Sequence, residues 1–76
     1  MIRELEPVVL TRDISGHDLK KGDVGTVVHH YGDGKAFEVE FVTAEGRAVA
    51  ILTLTEADVR PVRGSEILHV RELASA

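Results

Sequence analysis

Cysteine is absent from this 76-residue chain. That excludes disulfides, thiolate zinc sites and thiol nucleophiles. Tryptophan is absent too, and Tyr31, Phe37 and Phe41 are the only aromatic residues, so Val, Leu and Ile must supply nearly all of an apolar core. No apolar run approaches the roughly 20 residues that span a bilayer. The opening "MIRELEPVVL" also lacks a signal peptide's apolar core and small-residue cleavage site. A bacterial or archaeal cytoplasm is the expected location. No basic run exceeds Lys20-Lys21, and the net charge is −4. This argues against a generic grip on a phosphate backbone, which needs a concentrated basic surface.

What is present reads as one small domain. A chain of this length buries only about 60 to 65% of the surface its unfolded form exposes, so added area from a second copy or a protein partner is expected. "PVVL" (7 to 10) is a short strand opened by Pro7, which has no N–H to donate. A polar loop, 11 to 23, leads to "VGTVVHHY" (24 to 31) and "AFEVEFV" (36 to 42), two β-rich runs joined through Asp33-Gly34, a strong hairpin signal. Gly46 marks a second hairpin into "RAVAILTLT" (47 to 55). "EADV" (56 to 59) fits a single 3₁₀ turn before a closing strand, "VRPV" (59 to 62). The fold class is therefore all-β, an antiparallel barrel or sandwich. We divide the chain into a barrel, 1–63, and a C-terminal extension, 64–76. Ile67, Leu68 and Val70 in that extension read as a sixth strand, with a short helix capped by Ser65 as the alternative.

The run of a strand, a long polar loop ending in K-K-G-D-x-G, two hairpins, a turn and a short final strand resembles a five-stranded SH3-like barrel over about residues 5 to 62. "LKKGDVGTVV" resembles the opening of a KOW-type motif, a form of this barrel found in ribosomal proteins and transcription elongation factors. From "ELEPVVLTRDI" through "LKKGDVGTVVHHY" to "LTLTEADVRPV", the chain is more closely similar to small bacterial proteins of the domain of unknown function 4926 family. His17-Asp18 stands where a more generic polar pair is expected. The resemblance implies the barrel and transfers no activity, cofactor or site residue.

Taken residue by residue, "KKGDVG" is first a structural device: Gly22 and Asp23 form a turn, and Gly25 permits a strongly bent strand. The nucleic-acid alternative places Lys20, Lys21, Tyr31 and Lys35 on phosphates and bases, yet offers Tyr31 as the single exposed stacking platform. A two-residue Asp33-Gly34 loop pairs His30 with Phe37, His29 with Glu38 and Val28 with Val39. Val28, Phe37, Val39 and Phe41 then face the core, and His29 meets Glu38 as a surface charge pair. Neighbouring strand residues point to opposite faces, so His29 and His30 do not suit one metal ion, and we expect no metal or cofactor. The serines Ser15, Ser65 and Ser75 lie in no nucleophile motif, and no Gly-rich phosphate loop opens a helix. Glu38 and Glu40 share a face and read as solvation and edge protection. No catalytic residue is expected.

The extension carries the most suggestive feature. Ile67, Leu68 and Val70 follow the point where the barrel is complete, so they either cover its open end or pair with a protein partner or second subunit. The expected function is a non-enzymatic binding module working through a protein partner or homodimer, in an antitoxin-like or accessory-subunit role. SH3-like barrels also form non-catalytic halves of nitrile hydratases, so a metalloenzyme subunit is a third reading.

Overall fold

A computed structural model describes residues 2–73. Five strands follow in chain order: β1 (Pro7–Leu10), β2 (Val24–His30), β3 (Ala36–Val42), β4 (Ala48–Thr55) and β5 (Val59–Pro61). They form one antiparallel sheet in the order β4-β3-β2-β1-β5. The chain is all-β, and no helix occurs among the described residues.

That order forces curvature. β4 and β5 lie at opposite edges of the sheet, which in a flat five-stranded sheet are about 19 Å apart. They are joined by residues 56–58 alone, and the Asp58 N–H donates to Thr55 O at 2.9 Å in a tight turn. Such a turn holds its ends within about 7 Å. The sheet must therefore roll until its edges nearly meet, giving a small barrel-like fold around one core. Val8, Leu10, Leu19, Val27, Phe37, Val39, Phe41, Leu54 and Val59 fill it. The i to i+3 bond from the Asp58 N–H to Thr55 O is the single 3₁₀-type turn expected from the sequence.

Asp58 secures the closure. It is the one buried charged residue among the described residues, and its carboxylate accepts the Thr55 N–H at 2.9 Å, the Thr55 hydroxyl at 3.1 Å and Arg12 Nε at 2.7 Å. The Thr55 N–H, then the Arg12 guanidinium, hold its carboxyl below the ordinary range against the opposing effect of burial. Its own carbonyl accepts the Thr11 N–H at 2.8 Å, tying the start of the long loop to the same corner.

The long loop, read from sequence as simply polar, is itself folded. Ile14 and Leu19 form an isolated bridge, and Leu19 is buried in the core. The β2–β3 hairpin keeps the expected His30–Phe37 and His29–Glu38 pairs, but its loop is longer than two residues: the Tyr31 N–H donates to Ala36 O. Beyond His29 the register shifts, so that Val27, not Val28, pairs with Val39. Val27 is fully buried and Val28 is 39% exposed, the reverse of the sequence expectation for Val28. The physical reason lies across the sheet. Val27 accepts from Leu5 N–H at 2.6 Å and donates to Glu6 O at 3.0 Å, which fixes its orientation and leaves Val28 as the extra residue of a bulge. β3 is an inner strand, so Glu38 and Glu40 protect no edge; they share the outer face opposite Thr53 and Ile51.

Gly25 also differs from expectation. It does not adopt a positive φ; a β-carbon there would lie 2.7 Å from both Phe41 Cε2 and Val39 Cγ1. Its role is to let that ring and that methyl pack against bare backbone. Gly25→Ala is expected to lower unfolding free energy by about 1–3 kcal/mol through overpacking, measured by urea denaturation. Asp58→Ala is expected to cost about 1.5–3 kcal/mol, because it strips hydrogen bonds to a charged acceptor in a buried corner. A loss below about 0.5 kcal/mol would show that Asp58 does not hold the closure.

Candidate functional site

The "KKGD" stretch forms a turn built from its own residues. The Asp23 N–H donates to Lys20 O and the Lys20 N–H donates to Asp23 Oδ2, each at 2.9 Å, while Gly22 supplies the φ of 96° that such a corner needs. The Lys21 N–H donates to Asp13 Oδ1 at 2.9 Å, and the Gly22 N–H donates to Leu10 O at 2.9 Å. The turn is thus locked to β1 and to the long loop. It presents a carboxylate outward on a rigid mount.

The C-terminal extension docks on that carboxylate. Arg71 grips Asp23 in a fork, Nε to Oδ1 at 2.8 Å and Nη2 to Oδ2 at 2.6 Å, and Nη2 also donates to Asp18 O at 2.6 Å. Partial burial works to raise the Asp23 carboxyl, but the Arg71 fork and the Lys20 N–H outweigh it and hold the group below its ordinary value. A second clamp lies upstream. Arg60, on β5, donates to both oxygens of Glu66 at 2.9 and 2.6 Å, and the Arg63 N–H donates to Glu66 Oε1 at 2.7 Å. With Arg60 as the main cause, these hold the Glu66 carboxyl down to about 2.

Between the clamps lies the segment 67–70. It is neither strand nor helix, contrary to the sixth strand expected from sequence. Nor does it cap the barrel: Ile67 is 91%, Leu68 64% and Val70 92% exposed. Ile67, Leu68 and Val70 thus contribute little to the core, which the sheet and Leu19 fill. Among the described residues, no backbone hydrogen bond engages 67–70. Beneath the tail runs a cleft of about 690 Å³, floored by Leu19, Val24, Phe41 and Val49 and bordered by Arg47 and Arg71. The last residues of the extension, 74–76, lie outside the described residues.

The four nucleic-acid candidates do not converge. Lys20 and Lys21 sit just before β2, whereas Tyr31 and Lys35 sit beyond its far end, and a strand of that length spans about 20 Å. Lys20 and Lys21, with Arg71, also share their corner with Asp13, Asp18 and Asp23, so the formal charges there offset one another. His29 stands opposite Glu38 but does not pair with it. Its Nδ1 lies 3.4 Å from Glu4 Oε2, and its ring meets Tyr31 edge-on with centroids 5.0 Å apart. Glu38 instead accepts from the Tyr31 hydroxyl at 3.3 Å and from the Thr53 hydroxyl. Among the described residues, no group of three or more metal-ligating side chains comes together, and no helix is long and apolar enough to cross a membrane.

The family model described as "Domain of unknown function (DUF4926)" matches residues 4–61, more than half of the chain. The chain belongs to that family. Neither a curated protein nor a solved structure matches it. The match ends at Pro61, the last residue of β5, so the family model covers the sheet and stops short of the tail. Arg71 and Glu66, the residues that mount this tail, were not legible in the sequence. Arg71 lies 48 residues from Asp23, and only the Arg63-to-Glu66 spacing offered a local cue.

Both clamp carboxyls titrate below their ordinary values, so their stabilisation is complete above those values, near 4.5 for Glu66 and 3.8 for Asp23, and fades as pH falls. For Glu66 the window runs from 4.5 down to about 2. Between pH 5 and 2 the wild-type chain is expected to lose more stability than a variant carrying Arg60→Ala and Arg71→Ala, measured by denaturation at stepped pH. Equal losses would show that the clamps contribute nothing.

Proposed function

We propose that this chain is a non-enzymatic docking module of the cytoplasm, which presents its extension to a protein partner, or to a copy of itself, in an antitoxin-like or accessory-subunit role. One observation carries this reading: three large apolar side chains are held outward on a segment whose two sides are tied to the barrel by ion pairs. Solvent-facing Ile, Leu and Val on a pinned segment lower the ordering cost of binding. The open backbone of 67–70 suits addition to the edge of a partner's sheet, where main-chain bonds give affinity and alternate side chains give selectivity. Net charge −4 favours a basic partner and rapid encounter with it. The nucleic-acid alternative draws no support from the dispersed Lys20, Lys21, Tyr31 and Lys35.

Affinity capture with the wild-type chain and with an Ile67→Ser, Val70→Ser variant tests the reading. The variant is expected to keep the wild-type melting temperature, because both side chains face solvent, and to lose the captured protein. Capture of RNA or DNA instead, with affinity that falls steeply with salt and a slope reduced by Lys20→Ala with Lys21→Ala, would overturn it.

A further inference from the structure

The two edges of the sheet are treated differently. β5 is three residues long, contains Arg60 and ends in Pro61, so it combines shortness, charge and proline, the usual devices that stop a strand edge from recruiting another chain. β4 has none of them over most of its length. It is eight residues long, "AVAILTLT", with no charge, proline or glycine. A register shift falls at its first residues, and from Ala50 to Thr55 the ladder to β3 is regular.

The free hydrogen-bonding groups of β4 can be assigned. Tyr31 donates to Ala36 O, so Ala36 directs its polar groups toward β2. Alternation then turns Phe37, Val39 and Phe41 toward β4, where they face Leu54, Leu52 and Ala50. The intervening residues Ile51 and Thr53 direct their N–H and C=O groups to the outer side, where no strand pairs with them among the described residues, whereas those of Thr55 are taken up by Asp58 in the closing turn. Their side chains lie on the exposed face, and Ile51 is 54% exposed.

We propose that β4 pairs antiparallel with β4 of a second copy, joining two five-stranded sheets into one. The flanks of the strand select this occupant. Exposed Arg47 precedes the uncharged run and exposed Glu56 follows it. A two-fold axis at Leu52 pairs Ile51 with the second copy's Thr53 and brings each Arg47 within one residue of the other copy's Glu56. A parallel arrangement would set like charge against like. The two-fold makes each contact twice, so one strand with a basic start and an acidic end is its own complement. The pairing uses no residue of the 67–70 segment, so it stands or falls apart from the tail reading.

Sedimentation equilibrium on the full chain tests it. The wild-type protein is expected to approach twice its 8.3 kDa monomer mass as concentration rises through the micromolar range. Thr53→Pro removes an N–H aimed at the free edge and, within the sheet, only the exposed hydroxyl bond to Glu38 and no backbone bond, so it is expected to give a folded monomer by circular dichroism. Should that variant not fold, charge reversal decides. Arg47→Glu and Glu56→Arg are each expected to weaken the dimer about fivefold or more, and the double reversal to restore it to within about twofold. A wild-type chain that stays monomeric at millimolar concentration overturns the proposal. So does a folded Thr53→Pro dimer, a double reversal without recovery, or a dimer abolished by Ile67→Ser with Val70→Ser.

Discussion

The short link between β4 and β5 is the constraint on which the rest of this structure depends. Two strands that belong at opposite edges of the sheet are tied by a single turn, and the tie holds only because Asp58 satisfies the donors crowded there. Rolling the sheet brings Leu54 and Val59 into one core with residues from every other strand. It also decides what is left outside. The extension stays outside the core, with Ile67, Leu68 and Val70 exposed, and β4 keeps one open side because the turn brings the strand ends together without pairing the strands along their length.

Local chemistry in the sequence was a good guide to the turns. Gly22, Gly34 and Gly46 adopt φ values of 96°, 72° and 86° in the corners where glycine was read as a turn former. Strand positions followed from β-branched and aromatic runs for the same reason, since both signals act over a few residues. The expectations that failed were those set by distant residues. The bulge that expels Val28 is fixed by Leu5 and Glu6, contacts that no count back from the hairpin can reveal. Gly25 reads as a bend in the sequence because its partners, Val39 and Phe41, belong to the neighbouring strand.

The candidate site divides along the same line. The apolar excess of Ile67, Leu68 and Val70 after the barrel's end is legible in the sequence, but whether those residues cover the barrel or face outward is not. Only the three-dimensional placement of Asp23 decides between them. The motif that first suggested phosphate binding proves to be a mount for Arg71, and the carboxylate within it, not the adjacent lysines, makes the long-range contact.

The barrel and its tail are held by forces of different kinds, and solvent separates them. Apolar burial strengthens when an excluded salt such as sulfate is added, whereas ion pairs at a partly exposed surface weaken as the screening length contracts from about 10 Å at 0.1 M to about 3 Å at 1 M. Concentrated salt therefore tightens the sheet while loosening Arg71 from Asp23 and Arg60 from Glu66. The molecule behaves as two parts with opposite responses to ionic strength, a rigid body and a tether whose slack is set by the medium.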